Sequence, residues 1–405
     1  MKTYKHLYEA IEDPEIVARC ALDAAEGKLK RSEVQRFFTD FDNSCEYVQQ
    51  CAADPDYNPC EDNQHCIIDG ANNKSREIEK PRFCPEQVLH HLLIEGFKPV
   101  LLNGLYEQVY GCLPPSRKLN SEGRLLIKRF GPHAAIKQLT KWTQINTKVY
   151  VCETDVHHAY GSVHIGTLVR QMQEVIKDER WMRLTCKFLH YNPNDPEREK
   201  VYGLILGHYT SPWFFNFYLK TFDHFMASFQ EVHYLRFADN MFLVGTNKRK
   251  VHRALEVMAD YLKTYLQLDL NDSTQVYRFE YLDKSTGKVY GRAVNALGAV
   301  IHYNRVTLRK SILERMRRKA NKIHDKGPAV TWHDGASYFA RISWTRHTDV
   351  WKYYEKNIKN KVNSKRLKRK VKKHGKVAQK IAQERRRIVN AGLENSTRFP
   401  GDSAK

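Results

Sequence analysis

The sequence predicts an α+β protein in which helices at both ends enclose a region of short β-strands. Two observations support this prediction. Residues 4–52 place apolar side chains at helical spacing with few turn residues, and several short apolar runs after residue 60 end in turn residues, as strands do. With 405 residues, of which 41% are hydrophobic and 28% charged, the chain can bury a sizeable core.

Strand and helix patterns alternate through the middle of the chain. A strand at 60–68 is predicted to enter a hairpin through Asp69 and Gly70 and to return at 76–80, and the apolar pattern after Pro85 predicts a buried helix. Further strands are predicted at 149–156, 275–282 and 294–302, with a hairpin at 232–245. Further helices are predicted at 165–177, 212–228, 249–266, 308–324 and 334–358. The basic stretch 359–387 is predicted to be helical when docked, and 390–405 to be disordered.

No apolar run is long enough to span a bilayer, and the N-terminus lacks the apolar stretch of a signal peptide. We therefore expect a cytoplasmic protein with no membrane partner. All 9 cysteines lie in the first half of the chain, and their odd number argues against a disulfide framework. The cluster of Cys51, Cys60, His65 and Cys66 lacks the spacing of a zinc finger, so we expect reduced thiols.

The net charge of +21 lies entirely in the last quarter of the chain. Residues 1–304 carry 38 Lys and Arg against 38 Asp and Glu, whereas residues 305–405 carry 29 against 8. Such a one-sided positive field attracts a polyanion, and nucleic acid is the usual one. The alternative is a solvated basic tail without a partner, which fits 359–387 better than the tryptophan- and tyrosine-bearing stretch before it.

Two carboxylates occupy the ends of predicted apolar strands. Asp155 ends the strand that starts at 149, and Asp239 lies at the turn of the hairpin at 232–245. A carboxylate in such a place is costly unless its charge is used or paired. Brought together, the two groups would offer Mg²⁺ the hard oxygen ligands that phosphoryl transfer requires. Either acid alone is better explained as a turn residue that hydrogen-bonds its own backbone, so the metal site depends on the pair.

Segments around these acids resemble the motifs of reverse transcriptases, in the same order. Residues 155–163 (DVHHAYGSV) resemble motif A, residues 203–216 (GLILGHYTSPWFFN) motif B, and residues 237–240 (FADN) motif C. Residues 296–300 (ALGAV) resemble the primer-grip hairpin, and 76–83 contains segments similar to the fingers. The resemblance implies an RNA-directed DNA polymerase that makes cDNA from an RNA template by two-metal phosphoryl transfer.

The resemblance also implies a right-hand polymerase fold, with fingers, a palm built on an antiparallel sheet, and a thumb. We assign the regions along the chain as a helical N-terminal extension (1–56), fingers (57–148), palm with part of the fingers (149–304), thumb (305–358) and basic helical tail (359–405).

The catalytic residues that the resemblance implies are Asp155, Asp239 and Asn240. Asp155 and Asp239 would ligate two Mg²⁺ ions, with Mn²⁺ as a substitute, and the Val156 carbonyl would complete the shell. Tyr160 occupies the steric-gate position, where a bulky ring excludes a ribose 2′-hydroxyl. The product would therefore be DNA.

Substrate contacts follow from the same resemblance. The incoming nucleotide would contact Lys74, Arg76 and Lys80 through its phosphates, and Leu206 and Gly207 next to its base pair.

The expected partners are the RNA template, the DNA primer and product, and a small accessory protein. The residues that we expect to contact nucleic acid are Leu297, Gly298, Arg309, Lys310, Arg317, Arg318, Lys368, Arg369, Lys370, Lys372 and Lys373.

Two positions depart from the family pattern. Asn240 stands where most members have a second Asp, so the site has one negative charge fewer and we expect weakened or metal-shifted catalysis. Leu206 stands where Gln is typical, which resembles the reverse transcriptases of diversity-generating retroelements, although these usually have Gln where this chain has Pro212. We therefore predict a retroelement enzyme. The alternatives are an antiviral-defence or maturase-like reverse transcriptase, and a catalytically impaired RNA-binding scaffold.

Overall fold

The computed structural model describes residues 2–59, 64–69, 75–113, 116–119, 125–128, 131–145 and 147–373. Internal contacts group the chain into two compact units, Met1–Gly131 with Cys152–Val276, and Pro132–Val151 with Tyr277–Lys405. We call them unit 1 and unit 2. The predicted boundaries of fingers, palm and thumb stay predictions. Within the described ranges, no helix is both long and apolar enough to cross a membrane.

The described helices, named in chain order, are α1 (Glu9–Glu12), α2 (Pro14–Ala24), α3 (Ser32–Thr39), α4 (Phe41–Ala53), α5 (Val88–Leu102), α6 (Pro132–Thr143), α7 (Ile165–Val175), α8 (Glu179–Phe188), α9 (Ser211–Tyr218), α10 (Lys220–Ala227), α11 (Lys248–Leu266), α12 (Lys310–Lys326), α13 (Trp332–Ile342), α14 (Trp351–Asn357) and α15 (364–373). The strands are β1 (Gln64–Asp69), β2 (Ser75–Lys80), β3 (Ser116–Leu119), β4 (Leu125–Lys128), β5 (Tyr150–Asp155), β6 (Val232–Phe237), β7 (Asn240–Gly245), β8 (Gln275–Arg278), β9 (Tyr281–Leu282), β10 (Val289–Tyr290), β11 (Ala299–Ile301) and β12 (Val306–Leu308).

Unit 1 begins with short helices that pack around α5. Helix α2 starts after Asp13, whose carboxylate accepts hydrogen bonds from two backbone N–H groups of the first turn, with Pro14 at the first helical position. Helix α5 is apolar on most of its surface and packs against α1, α2 and α9. The helical patterns at 4–52 and after Pro85 are confirmed.

The four-stranded sheet has the order β6-β7-β5-β8. Strands β6 and β7 form an antiparallel hairpin in which Phe237 lies opposite Asn240, so Ala238 and Asp239 make the turn. The strands are largely buried, as their near-continuous apolar sequences require. Helix α11 packs against both strands. The predicted hairpin and the helix after it are confirmed.

In the hairpin of β1 and β2, Gln64 lies opposite Lys80 at one end and Asp69 lies opposite Ser75 at the other, which confirms the strand pair predicted for this region. The strand at 149–156 and the helix at 165–177 are confirmed as β5 and α7. The β3–β4 hairpin and helices α6 and α8 were not predicted. Their short amphipathic segments mix charged and apolar residues without clear boundaries in the sequence.

The single helix predicted at 212–228 is wrong, because the chain turns at Leu219 and forms α9 and α10. The first residue after this turn, Lys220, contacts the end of another helix. The Lys220 ammonium donates to the carbonyl oxygens of Val100 (3.0 Å) and Asn103 (2.5 Å), at the C-terminal end of α5. A cation is favourable at that end of a helix, where backbone carbonyls lack helical partners.

Unit 2 has its own core, built on α12. Met316, Ala320 and Ile323 form the buried stripe of this helix, as its apolar spacing predicts. Leu367 of α15 joins the same core. Within the basic stretch predicted to be helical, 364–373 therefore form a docked helix, whereas Lys359–Lys361 form a separate 3₁₀ turn. Residues 374–405 lie outside the described residues.

The single helix predicted at 334–358 is also wrong. It is divided into α13, a 3₁₀ turn and α14. Between α13 and α14, the Asp349 N–H donates to the Val306 carbonyl and the Asp349 carboxylate accepts the Val306 N–H, each at 2.7 Å. These bonds to β12 replace helical hydrogen bonds at the break. The strand predicted at 275–282 is similarly divided into β8 and β9.

Candidate active site

The two predicted catalytic acids lie on neighbouring backbone segments of unit 1. Asp155 is the last residue of β5, and its carbonyl accepts a hydrogen bond from the Asn271 N–H at 2.9 Å. The N–H of the next residue, Val156, donates to the carbonyl of Asp239 at 3.3 Å. Both Asp155 and Asp239 are half-buried. The structure therefore brings the end of β5 beside the β6–β7 turn, as the sequence predicts.

Asn240 contacts one of these acids directly. Its side-chain amide donates to Oδ1 of Asp239 at 2.9 Å. A carboxylate at residue 240 would have no proton to donate at neutral pH and would repel Asp239 instead. Asn240, which gives the site one negative charge fewer than the family pattern, therefore also holds the Asp239 carboxylate in one orientation.

The ligands at this edge are those that Mg²⁺ prefers. In the described part of the chain, no group of three or more His, Cys, Asp and Glu residues is arranged to hold a metal ion. Asp155 and Asp239 supply two carboxylates and Val156 a backbone carbonyl, all hard oxygen donors. Mg²⁺ commonly binds to one or two carboxylates together with substrate phosphates, so this small set fits it.

Tyr160, the predicted steric gate, has two close neighbours. Its ring stacks on Phe215 with the ring centroids 5.0 Å apart, and its hydroxyl lies near the Cys112 thiol. Burial raises the pKa of Tyr160, and the nearby Cys112 and Asp239 raise it further. The hydroxyl therefore stays neutral at physiological pH. Cys112 was not predicted as a site residue, and the sequence around it gives no signal for this role.

The motif B segment of unit 1 lies against the β1–β2 hairpin. The Glu79 N–H on β2 donates to the Leu206 carbonyl at 2.8 Å. Gly207 has a φ of +109°, and a Cβ there would lie 2.0 Å from the Glu79 carbonyl oxygen. Glycine is therefore required by the approach of β2, whereas the predicted contacts of Leu206 and Gly207 with a base pair stay predictions.

The three predicted phosphate-binding residues are differently placed. Lys80 is exposed at the end of β2, opposite Gln64. The Arg76 backbone pairs with Ile68 on the same hairpin, but its side chain lies outside the described residues, as does Lys74.

A buried polar network beneath the turn was missed by the sequence reasoning. Arg236 on β6 is 0% exposed and forms a two-point ion pair with Asp223, Nε to Oδ1 at 2.8 Å and Nη2 to Oδ2 at 2.6 Å. Its Nη1 donates to Oδ1 of Asn216 at 2.9 Å and to the Ala238 carbonyl at 3.0 Å. An arginine inside an otherwise apolar strand requires a buried partner, and this was the available sequence signal.

Two predicted nucleic-acid contacts of unit 2 form the turn before β11. Leu297 and Gly298 have φ values of +52° and +91°. Arg309 holds this turn, because its side chain donates to Oδ1 of Asn295 at 2.5 Å and its N–H to the Gly298 carbonyl at 3.0 Å.

Among the other predicted basic contacts of unit 2, Lys370 is half-buried and donates to the backbone carbonyls of Pro328 and Val330. The rest are exposed, and they are Lys310, Arg317, Arg318, Lys368, Arg369, Lys372 and Lys373. Of these, Arg318 lies 3.6 Å from Glu314.

Solved structures with a similar chain course include two telomerases. One is the apo telomerase of Candida tropicalis truncated from its C-terminal domain, with 11% identity, a TM-score of 0.40, and coverage of 61% of this chain and 55% of that chain. The other is the telomerase of Candida albicans with a fragment of telomeric RNA, with 11% identity, a TM-score of 0.40, and coverage of 65% and 50%. The chain thus spans about half the length of these telomerase chains.

Comparison with protein families gives a direct match around the candidate site. No curated protein matches the sequence significantly. Residues 118–282 match the family described as "Reverse transcriptase (RNA-dependent DNA polymerase)", and this segment includes Asp155, Tyr160, Gly207 and Asp239. This part of the chain is therefore similar to a reverse transcriptase domain, which supports the predicted enzyme class, an RNA-directed DNA polymerase.

Proposed function

We propose that the chain extends a DNA primer on an RNA template by two-metal phosphoryl transfer, in a right-hand fold of fingers, palm and thumb. The observation that carries this proposal is the 3.3 Å hydrogen bond from the Val156 N–H to the Asp239 carbonyl. It joins the two strand ends that carry the acids, within the segment that matches the reverse transcriptase family.

Asp155, Asp239 and the Val156 carbonyl are the residues that would hold Mg²⁺, or Mn²⁺ in its place. When bound, the ions would neutralise phosphate charge and lower the pKa of the primer hydroxyl. The chain itself contributes a fixed geometry, because Asn240 holds the Asp239 carboxylate through its amide. Such preorganisation matters in phosphoryl transfer, where positioning and electrostatics supply almost all of the catalysis.

Tyr160 would select deoxynucleotides. Its ring is held by the stacking on Phe215, so it cannot easily turn aside for a 2′-hydroxyl. Because the hydroxyl of Tyr160 is neutral, the exclusion would be steric rather than electrostatic. The aromatic ring, and not its oxygen, is therefore the selective element.

Template and primer would be bound largely through phosphates. The exposed Lys and Arg side chains of α12 and α15 give unit 2 a basic surface suited to a sugar-phosphate backbone. The sequence 1–304 carries no net charge, so a small basic accessory protein would strengthen binding.

Primer extension tests the proposed activity. The full chain would be supplied with an RNA template, a DNA primer, deoxynucleotides, and Mg²⁺ or Mn²⁺, beside Asp155→Ala. The matched control is Asp260→Ala, which removes an exposed carboxylate from α11. Wild type and Asp260→Ala should extend the primer equally, and Asp155→Ala should not. Equally little extension by wild type and Asp155→Ala would instead favour an RNA-binding scaffold, for which Asn240 is the motivating observation.

We further propose a role in a diversity-generating retroelement, for which Leu206 is the supporting residue. Sequencing of the cDNA should show more mismatches for wild type than for Leu206→Gln. A neighbouring gene for a small helical accessory protein and a variable-repeat target would support this role. Their absence, with accurate copying, would favour an antiviral-defence or maturase-like role.

A further inference from the structure

The turn that carries Asp239 rests on a fully buried ion pair. Arg236 and Asp223 are both 0% exposed, and Asn216 is 1% exposed. Four hydrogen bonds leave the Arg236 guanidinium, two to Asp223, one to Asn216 and one to the Ala238 carbonyl. The last of these reaches the residue directly before Asp239.

Stability alone does not account for such a pair. Desolvation of two charges costs much of what their attraction returns, and apolar residues of similar size often stabilise a protein equally well. An apolar pair cannot donate to the Ala238 carbonyl, however. Lysine could not replace arginine either, because one ammonium cannot span Asp223, Asn216 and the turn as a planar guanidinium does.

The turn is also supported by the chain segment before β3. Asn216 donates from Nδ2 to the Gly111 carbonyl at 3.1 Å, and a Cβ on Gly111 would lie 2.3 Å from the Ala238 nitrogen. Ala238 itself has a φ of +54°, a backbone conformation that residues other than glycine rarely adopt. A strained residue of this kind persists only where its surroundings hold it.

We propose that Arg236 is a positioning residue, which fixes the Ala238–Asp239 turn through the Ala238 carbonyl while Asp223 and Asn216 hold its guanidinium. The inference rests on the proposed function, in which Asp239 binds the metal ions. It adds that the orientation of Asp239 depends on a network that touches neither metal nor substrate. Loss of the network should change metal binding and turnover before it changes nucleotide affinity.

The main variant replaces both charges, Arg236→Met with Asp223→Leu, so that no unpaired charge is left buried. Arg236→Lys is the second variant, which keeps a charge opposite Asp223 and loses the fork. The matched control is Tyr234→Phe. It removes the 2.8 Å bond from the Tyr234 hydroxyl to Asp223 and leaves the bond to Ala238 in place.

Four measurements separate positioning from folding. They are kcat and KM for deoxynucleotides in primer extension, Mn²⁺ binding by electron paramagnetic resonance, amide hydrogen exchange of the peptide 237–241, and thermal unfolding. For the double variant we expect a kcat lower by about 10- to 100-fold with KM within about threefold. Mn²⁺ binding should weaken and exchange at 237–241 should accelerate. Arg236→Lys should show smaller changes of the same kind, and Tyr234→Phe should match wild type in all but thermal stability.

A folded double variant with wild-type kcat and unchanged exchange would overturn the inference. If the double variant does not fold, the kcat and the hydrogen exchange of Arg236→Lys are compared with those of wild type instead, and unchanged values would overturn the inference. If wild type extends no primer, the proposed function fails separately, and hydrogen exchange of 237–241 still decides whether Arg236 holds the turn. Unchanged exchange in both Arg236 variants would then overturn it.

Discussion

Asn240→Asp restores the second acid of the family pattern and should make the protein depend on metal for stability. The change removes the 2.9 Å bond from the Asn240 amide to Asp239. A hydrogen bond to a charged group contributes about 1.5–3 kcal/mol, and the new repulsion between adjacent, half-exposed carboxylates adds on the order of 1 kcal/mol after screening. We therefore expect the free energy of unfolding without metal to fall by about 2–4 kcal/mol.

Thermal unfolding measures this loss. At about 2–4 °C per kcal/mol for a large unit, Tm without metal should fall by roughly 4–16 °C. A carboxylate is a better Mg²⁺ ligand than an amide, so added metal should stabilise the variant more than the wild type. An ion at 100 times its Kd contributes about 2.7 kcal/mol, enough to recover most of the loss. In primer extension, the Mg²⁺ concentration for half-maximal rate should fall by about tenfold.

The control for this experiment is Asn247→Asp. Asn247 caps α11 by accepting backbone hydrogen bonds from Arg249 and Lys250, and Asp performs that role about equally well. It adds the same charge away from the turn. Asn240→Asp with unchanged Tm in the absence of metal, and with an unchanged Mg²⁺ midpoint, would refute the inference that Asn240 orients a metal-binding carboxylate.

Three further predictions concern selectivity, stability and charge. Tyr160→Ala should raise ribonucleotide incorporation relative to deoxynucleotide incorporation by at least about tenfold, a change of about 1.4 kcal/mol in selectivity. Tyr160→Phe should leave the ratio unchanged in the same single-nucleotide assay, since the ring is the barrier. Asp334 accepts charged hydrogen bonds from Lys319 and Lys326, which hold the pKa of its carboxyl well below the usual range. A depressed pKa stabilises the folded state above the unfolded value near 4, and the contribution is lost as pH falls through the folded value. Asp334→Asn should therefore cost about 1–3 kcal/mol at pH 7, and the difference from wild type in urea unfolding should shrink as the pH is lowered. Truncation after residue 373 removes 7 Lys and Arg and 3 Asp and Glu but keeps Leu367 in its core. It should weaken RNA binding and reduce the magnitude of the slope of log K against log salt concentration by up to about 5. An unchanged slope would show that these charges make no phosphate contact.

Local patterns predicted most of the elements around the site. The strand pattern at 149–156 and the hairpin at 232–245 form β5, β6 and β7 because both sequences suit largely buried strands. The helix breaks at Leu219 and before Trp351 could not be predicted in this way. They depend on the partners of Lys220 and Asp349, which lie far away in the sequence.

The candidate site shows the same difference between local and distant information. Asp155, Tyr160 and Asp239 were identified because each lies in a recognisable short motif. Gly207 was identified for the same reason, but the neighbour that requires glycine there is β2.

The residues that were not predicted are those whose structural role depends on a contact that is distant in the sequence. Arg236 is conspicuous by its charge within an apolar strand, yet nothing local identifies Asp223 and Asn216 as its acceptors. Gly111 lies more than a hundred residues from the Ala238 turn that it contacts, and its sequence neighbourhood is unremarkable. A motif identifies where chemistry can occur, whereas the precision of Asp239 depends on contacts that only the fold assembles. If the protein is the proposed polymerase, a variant that keeps every motif residue should still lose turnover through a change at Arg236 or Gly111 alone.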